Sequence, residues 1–410
     1  MKVFSLFFFF FVTIISFAQC PTVNISLGSQ EDIDAFKINF PDCTSLSYDL
    51  EIIDYNSNIV NLDGLLSLIN IQGSLTIRGL NDNVNFDGLK NLNVIAGNFT
   101  LSSNSIKSLI GLSNLNSVGG DFNFTNNVLE SFKGLENLNL IQGNFDFSRN
   151  SFEQFEGLNK LTTVNGNFIA QYTGNLNYLD RLSNLKLIGG NLILSYNGVE
   201  TITGFPVLEV IKGGLFFEQN LSTHITGFEK LLSVGNGILI ERNTKLIDIN
   251  GFSLLSSVVG DFYIVENESL VNLNGFPNLE LIDGSIQVIR NQKIESFSAF
   301  DKLESINKNL RFLSNRIPLI SGFENLKSIS GNLEFKDNGE AVLGFNSLTS
   351  LGGFLSFDEN RILKSVDGFR ALETIGDSFS FYKNEELVSI LGFDNLKNVM
   401  VVLESRIILS

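Results

Sequence analysis

The side chains that most often carry nucleophilic or metal chemistry are scarce in this sequence, which has one histidine, His224, and two cysteines, Cys20 and Cys43. Nucleophilic catalysis needs a hydroxyl or thiol activated by a base, and His224 has no plausible serine or cysteine partner. Two thiols without a nearby histidine are a poor zinc site, whereas in an oxidising compartment they are expected to pair as a disulfide. We therefore predict no catalytic residue, no metal site and no cofactor.

The charged residues argue against two classes of partner. The chain carries 44 acidic and 28 basic residues, a formal net charge of −16. Nucleic acid needs clustered lysine and arginine, and an anionic membrane surface attracts basic segments, so neither is an expected partner. The acidity is expected to keep a long apolar array soluble, and the alternative is a patch for a basic partner. Neither the Walker lysine nor the calcium-binding G-G-x-G-x-D repeat is present.

A repeat organises the apolar residues. Residues 97–119 read GNFTLSSNSIKSLIGLSNLNSVG and residues 120–142 read GDFNFTNNVLESFKGLENLNLIQ, so the two copies begin 120 − 97 = 23 residues apart. Further copies follow, with slips of one residue, as far as Asp377. One such repeat cannot bury its apolar face alone, and a fixed period in this range is typical of a solenoid.

Each copy contains a short strand pattern. Phe99 and Leu101 alternate with Thr100, which places the first two side chains inside and the third outside. No apolar run reaches the length of about ten residues that a helix needs. We predict an all-β, right-handed parallel β-helix of about 15 coils, each of roughly 22–25 residues, with successive coils about 4.8 Å apart.

An asparagine recurs seven positions after the leading glycine of most copies. Stacked asparagines can donate to and accept from backbone groups that a turn leaves unpaired, so we assign them a structural role. One coil departs from the rule, with Thr173 in place of the asparagine and Arg181 in place of a recurring glycine. The asparagines of this predicted ladder are Asn104, Asn127, Asn150, Asn197, Asn220, Asn243, Asn267, Asn291, Asn315, Asn338, Asn360 and Asn384.

The first residues are typical of a secretory signal peptide. Lys2 supplies a positive end, residues 4–15 are apolar and residues 16–18 form a small-x-small cleavage site, so we predict a signal peptide over 1–18. The apolar run is short for a membrane span, which needs about 20 residues. A lipid anchor on Cys20 is the disfavoured alternative, because Gln19 is a poor residue before a lipidated cysteine. No other stretch is expected to cross a membrane, so we predict a mature chain that is secreted or held at the outer cell surface.

The rest of the chain divides into a cap, a solenoid and an end segment. In the predicted N-terminal cap, residues 19–47, Ser29 and Asp32 resemble a capping box that starts a short helix, and Ile33 and Phe36 share one face of it. The Cys20–Cys43 disulfide is expected to tie this helix over the first coil. A continuous solenoid is predicted over 48–400. Residues 401–410 are predicted to be an end strand or cap, or else an edge where another chain docks.

Residues 138–150 carry a family resemblance. Their pattern, Leu-x-x-Ile-x-Gly-x-Φ-x-Φ-x-x-Asn with Φ apolar, resembles the receptor L-domain, the leucine-rich-repeat-like β-helix of the epidermal growth factor and insulin receptor ectodomains. The N-terminal order of cysteine, short acidic helix and second cysteine is similar to the opening cap of that family, and the phenylalanine-rich leader resembles those of secreted Bacteroidetes proteins. The chain differs from receptor L-domains in its larger number of coils and its lack of cysteine-rich modules. The resemblance implies extracellular recognition.

The outward residue between the two buried residues of each strand gives the candidate site. Five consecutive coils have an apolar residue there, between polar coils on both sides, and Tyr172 and Tyr196 flank them. Contiguous apolar surface with polar borders usually marks an interaction site; the alternative is a ladder that only strengthens the sheet. The full row is Thr76, Thr100, Asn123, Asp146, Ile169, Ile193, Phe216, Leu239, Tyr263, Gln287, Arg311, Glu334, Ser356 and Ser380.

From these patterns we predict a secreted or cell-surface, non-enzymatic recognition or adhesion module that binds an extracellular protein through this outward face. A polysaccharide-active β-helix enzyme is one alternative, and a passive structural spacer of the cell surface is another. A glycan is the less favoured ligand, because the sequence has no tryptophan to stack on sugars and its even spacing leaves no long insertion to build a groove.

Overall fold

The computed structural model describes residues 19–152, 155–174 and 179–402. These ranges contain one α-helix, Gln30–Asn39, and three 3-10 helices, Asp63–Leu65, Asp87–Leu89 and Leu179–Arg181; their other regular structure is β-strand. The predicted signal peptide, residues 1–18, lies outside the described residues, as do residues 403–410 of the predicted end segment.

One strand of each coil, called here the long strand, carries the alternating pattern. Consecutive long strands pair in parallel, so that Phe122 lies beside Phe145 and Phe145 beside Phe168. The register is continuous except in the last pair, where it shifts between Ile375 and Ser378. Buried and more exposed residues alternate along most of these strands, as the period of two predicts. The column consists of Ile25–Leu27, Leu50–Ile53, Leu75–Arg78, Phe99–Ser102, Phe122–Asn123, Phe145–Asp146, Phe168–Gln171, Leu192–Ser195, Leu215–Glu218, Ile238–Glu241, Phe262–Val265, Ile286–Ile289, Leu310–Leu313, Leu333–Lys336, Leu355–Asp358, Thr374–Tyr382 and Asn398–Val402.

Most long strands are preceded by a two-residue strand. These short strands pair with one another and form a second parallel column. Leu140 pairs with Thr163 and Thr163 with Leu187, one coil at a time. The members of this column are Ser45–Leu46, Asn70–Ile71, Val94–Ile95, Ser117–Val118, Leu140–Ile141, Thr163–Val164, Leu187–Ile188, Val210–Ile211, Ser233–Val234, Ser257–Val258, Leu281–Ile282, Ser305–Ile306, Ser328–Ile329 and Ser350–Leu351.

Some coils add a third short strand after the asparagine turn. These strands form two separate parallel sheets, the first of three strands and the second of four. They are Thr201–Ile202, His224–Ile225 and Asp248–Ile249 in the first sheet, and Leu319–Ile320, Ala341–Val342, Ser365–Val366 and Ser389–Ile390 in the second. The described residues thus form a nearly all-β parallel solenoid of about 15 coils with one α-helix near its N-terminus, which confirms the predicted fold class.

Leucine, isoleucine and phenylalanine fill the interior as continuous stacks. Phe205, Phe228, Phe252 and Phe276 follow one another with ring centroids 5.2, 5.0 and 5.0 Å apart and nearly parallel planes. Each of these rings is fully buried. The ring spacing matches the distance between strands, so every coil completes the packing of the one before it.

Backbones of neighbouring coils also approach closely where glycine recurs. At Gly134, φ is 108°, and a Cβ atom would lie 2.2 Å from the carbonyl oxygen of Leu109. No larger residue fits that contact. In the coil in which Arg181 replaces the glycine, this position lies in the 3-10 helix Leu179–Arg181.

Asparagines close the turn after each long strand. In a representative step, Asn243 Oδ1 accepts from the backbone N–H of Asn220 at 2.9 Å, and Asn243 Nδ2 donates to the carbonyl oxygen of Phe217 at 2.9 Å. The residue before each asparagine is left-handed, as at Arg242 with φ 55°. The side chain of Asn243 is 2% exposed, so these bonds satisfy backbone groups that water does not reach.

Thr173 interrupts this ladder. Its hydroxyl and its N–H both donate to Asn197 Oδ1, at 2.7 and 3.1 Å. It has no amide nitrogen to reach the carbonyl of Phe147, and Asn150 Nδ2 donates to that oxygen instead at 2.7 Å. The ladder therefore continues through this coil with fewer bonds between coils.

The helix Gln30–Asn39 packs against the first coils. Ser29 Oγ accepts from the N–H of Asp32 at 3.2 Å, and the Asp32 carboxylate accepts from Ser29 Oγ at 2.8 Å, which fixes the N-terminus of the helix. The hydrogen bond from the Ser29 hydroxyl, followed by that from the Gly28 N–H, holds the pKa of Asp32 below its ordinary value. Ile33 and Phe36 are buried against the core. Cys20 and Cys43 form a disulfide across this segment.

Candidate functional site

Five apolar side chains form a ladder on the outer face of the long strands; we call Ile169, Ile193, Phe216, Leu239 and Tyr263 the apolar row. They are consecutive partners in register. Each is partly exposed, because its neighbours in the row cover its flanks. The strand pairing continues to Asp146 before the row and to Gln287 after it, so polar positions border the row at both ends.

A ladder of polar side chains runs along one border of the apolar row and is interrupted beside the middle of the row. Elsewhere the residue after the leading glycine bridges coils, as where Asn191 Oδ1 accepts from the N–H of Gly214 at 2.7 Å. Gly214 and Gly237 have no side chain to continue it, and it resumes at Asp261. The ring of Phe216 occupies the vacated space, since a Cβ on Gly214 would lie 2.5 Å from Phe216 Cζ. The apolar surface is therefore widest at the coils of Phe216 and Leu239.

Tyr263 ends the row with a bound hydroxyl. Its Oη donates to Asp261 Oδ2 at 2.8 Å, and burial together with this bond raises the pKa of Tyr263 to about 12. Burial alone would raise the pKa of Asp261, but the hydrogen bonds from Ser285 N–H and Tyr263 hold it below its ordinary value. Lys308 Nζ lies 3.7 Å from Asp261 Oδ1. The hydroxyl of Tyr263 is therefore already hydrogen-bonded within the protein.

A second row of side chains lies on the same strands, two residues after the apolar row in each. We call it the acidic row, and its members are Gln171, Ser195, Glu218 and Glu241. Burial, and then the neighbouring Glu241 carboxylate, raise the pKa of Glu218 above its ordinary value. Ser195 is 1% exposed and its Oγ has no hydrogen-bond partner among the described residues. This row therefore holds polar groups that the fold itself leaves poorly satisfied.

The tyrosine pair, Tyr172 and Tyr196, borders the acidic row. The two rings stack with centroids 4.5 Å apart, and they are 51% and 38% exposed. Gln219 Nε2 donates to the hydroxyl of Tyr196 at 3.0 Å. The neighbouring Tyr172, burial and the Glu218 carboxylate raise the pKa of Tyr196. The pair lies beside the acidic row and does not extend the apolar row directly.

Ion-paired side chains follow the tyrosine pair in the next coils of the solenoid. Arg242 contacts Glu241 at 3.3 Å and Glu266 at 2.8 Å, and Glu266 contacts Arg290 at 2.7 Å. Bonds to both arginines lower the pKa of Glu266. An open depression of about 880 Å³ lies against these side chains and reaches Lys293.

His224 lies on the separate three-stranded sheet, and its Nδ1 is 3.0 Å from Asp248 Oδ2. The carboxylate can orient the imidazole, as in a catalytic dyad. However, no hydroxyl or thiol within the described ranges is hydrogen-bonded to the ring, so the pair has no nucleophile. The described part of the chain also contains no cluster of three or more histidine, cysteine or acidic side chains arranged to bind a metal ion. Nor does any helix described here combine the length and apolarity that crossing a bilayer requires.

Comparison with known proteins leaves the family open. No protein-family model and no curated protein sequence matches this chain. Among solved structures, the chain is similar to a protein in the crystal structure of a TLR13–ssRNA13 complex, with 14% sequence identity and a TM-score of 0.25. The match covers 87% of this chain and 62% of the other, so the present chain spans less than two thirds of that protein. A likeness this weak carries no argument about function.

The structure brings the predicted site residues together as two groups. Ile169, Ile193, Phe216, Leu239 and Tyr263 are successive members of one ladder, and the tyrosine pair is three positions further along its strands. The acidic row between the two groups was missed, although aligning the copies two positions further along would have found it. Asp248 beside His224 was missed because only the coil register makes them neighbours.

Proposed function

We propose that this chain is a secreted or cell-surface recognition or adhesion module, without enzymatic activity, that binds an extracellular protein through the apolar row. The observation that carries the proposal is that the row is not needed by the fold. Coils with Thr100, Arg311 and Glu334 at the same position pair over four residues, as the coils of the apolar row do, and have the same asparagine turns. Contiguous apolar surface that a fold does not require usually serves binding.

The dimensions and chemistry of the row suit a protein partner. Four strand spacings of about 4.8 Å make it roughly 19 Å long, which is enough to contact several side chains of a partner. Aliphatic and aromatic side chains at the centre with polar borders are typical of protein interfaces. The disulfide between Cys20 and Cys43 supports an oxidising, extracellular location.

Site-specific photo-crosslinking on the producing cell tests this proposal. The chain is expressed with benzoylphenylalanine at Phe216, and a matched variant carries the same group at Lys230, which is exposed on a turn. We expect a covalent protein adduct from position 216, none from position 230, and loss of the adduct when Leu239→Asp is added.

Two outcomes would overturn the proposal. Equal adducts from both positions would show that the row has no special role. An absence of adducts at position 216, together with end-to-end association of the purified chain in sedimentation experiments, would favour a passive spacer.

A further inference from the structure

One carboxylate in the acidic row lacks a counter-charge. Glu218 lies in register between Ser195 and Glu241. Arg242 pairs with Glu241 at 3.3 Å and with Glu266 at 2.8 Å, but no basic group within the described ranges comes within ion-pair distance of Glu218. Like charges directly opposite each other on neighbouring strands are unfavourable, so the fold maintains this carboxylate against a local electrostatic cost.

Counting the charged side chains around Glu218 gives the charge that a bound group would need to balance them. Glu218, Glu241 and Glu266 contribute three negative charges, and Arg242 and Arg290 contribute two positive ones. The sum, 2 − 3 = −1, is a single negative charge, and the ion pairs assign it to Glu218. One monovalent cationic group would balance it.

Polar groups around Glu218 can hold such a cation. Ser195 precedes it in the row, and its buried Oγ is without a hydrogen-bond partner in the described structure. The backbone N–H of Tyr196 donates to the carbonyl oxygen of Glu218 at 2.9 Å, so the two residues are neighbours on adjacent coils, and the side chain of Tyr196 is exposed beside Tyr172. Hydroxyl oxygens accept from ammonium or guanidinium N–H groups, and tyrosine rings attract cations.

We propose that Glu218, with Ser195 and Tyr196, binds one lysine or arginine side chain of the partner whose apolar side chains lie on the apolar row. This inference rests on the proposed function and adds the charge of the partner to it. A hard metal ion suits the position less well, because calcium takes six to eight oxygen ligands and no three-residue group of metal ligands is present among the described residues.

The geometry also sets a spacing. Phe216 and Glu218 are two residues apart on one strand, so their side chains project from the same face about 7 Å apart. A partner with an extended recognition segment would place a large apolar residue and a basic residue two positions apart to match them. The net charge of −16 would also favour the approach of a basic segment.

A phage-displayed library of random 12-residue peptides is a suitable probe. The full chain is panned against it in parallel with Glu218→Gln, Phe216→Asp and Glu200→Gln, the last a control that removes one charge from an exposed turn. Lysine or arginine should be enriched near an apolar residue on the wild type and on Glu200→Gln, and not on Glu218→Gln. For a selected peptide, replacing its basic residue by norleucine should weaken binding to the wild type about tenfold or more, since hydrogen bonds to charged groups contribute about 1.5–3 kcal/mol.

The outcomes separate the two proposals. Apolar peptides without a basic residue, or basic enrichment that survives Glu218→Gln, would refute the cation site and leave the apolar row as the binding surface. Peptides that bind Phe216→Asp as well as the wild type, or no selected peptides at all, would remove both the row and the cation site. Circular dichroism of each variant checks that a lost enrichment is not lost folding.

Discussion

Residues 99–147 and residues 192–265 build coils with similar interiors that differ on their outer faces and in strand length. The strands Phe122–Asn123 and Phe145–Asp146 have two residues, whereas each long strand of 192–265 has four. Inside, both stretches bury phenylalanine, leucine or isoleucine in the same columns and close their turns with hydrogen-bonded asparagine. Outside, the first presents Thr100, Asn123 and Asp146, and the second presents the apolar row together with Glu218 and Glu241. Coils with Arg311 and Glu334 on the outer face also pair over four residues. A four-residue strand therefore does not need an apolar outward residue, and the explanation for the apolar row should be sought in function.

Substituting two adjacent phenylalanines, one on each face, is the most direct test of the difference between the inner and outer faces. Phe217 is fully buried, whereas Phe216 lies on the outer face. Phe217→Ala should lower the free energy of unfolding by about 3–5 kcal/mol, because it leaves a cavity between stacked coils. Phe216→Ala removes only cross-strand contacts and should lower it by about 1 kcal/mol or less. Urea unfolding followed by circular dichroism measures both.

The two variants should also separate in binding. Phe216→Ala should lose adducts in the crosslinking experiment when the probe is moved to Leu239, and Phe217→Ala should keep them below its unfolding midpoint. Equal destabilisation by the two substitutions would contradict the assignment of inner and outer faces.

Replacing a turn asparagine should give the next largest decrease in the free energy of unfolding. Asn243→Leu would leave the N–H of Asn220 and the carbonyl of Phe217 without partners. Two unsatisfied buried groups should lower the free energy of unfolding by about 3 kcal/mol. Thr244→Leu, at the exposed neighbouring position, is the matched control and should change it by less than about 0.5 kcal/mol. If Asn243→Leu unfolds at the wild-type urea concentration, the ladder is not a structural element.

The irregular coil provides a test in the opposite direction. Thr173→Asn should restore an amide that reaches the carbonyl of Phe147 and an acceptor for the coil before it, as at the other turns. We expect a gain of about 1 kcal/mol in the free energy of unfolding, the usual contribution of one net hydrogen bond. Thr173→Ser keeps the hydroxyl and is the control. A loss of stability in Thr173→Asn would mean that this coil has a turn of its own that asparagine does not fit.

Much of the inner architecture could be predicted from the sequence because each column repeats one residue type. Phe99 and Leu101 predict an inward face, and the period predicts parallel stacking, since both depend on short-range alternation. The left-handed residue before each asparagine could not be predicted, because positions such as Arg242 and Tyr196 have no glycine to signal it; the asparagine hydrogen bonds hold that conformation.

The outer face was harder to predict than the core. The apolar row was found because five like residues recur at one register position. The role of Gly214 was not, since a missing side chain becomes informative only when the ring of Phe216 is seen over it. The unpaired charge of Glu218 was missed for a related reason: it depends on which carboxylates Arg242 reaches, and three-dimensional contacts decide that.

The smallest expected effect concerns the charge of Glu218. Burial and the Glu241 carboxylate raise its pKa in the folded chain above the ordinary value of 4.5, with Arg242 opposing them. A carboxyl whose folded-state pKa is raised takes up a proton more readily when folded, so stability should increase as the pH falls through the folded-state pKa and level off below 4.5. Above that range its charge is a constant disadvantage.

Glu218→Gln removes this disadvantage. The variant should be more stable than the wild type at pH 7, by less than about 1 kcal/mol because the side chain is partly solvated, and the difference should vanish below pH 4.5. Urea midpoints at both pH values measure it, with Glu200→Gln as the control for charge. A Glu218→Gln variant that is less stable at pH 7 would mean that the carboxylate already has a partner within the chain, and the position would then have no cation left to bind.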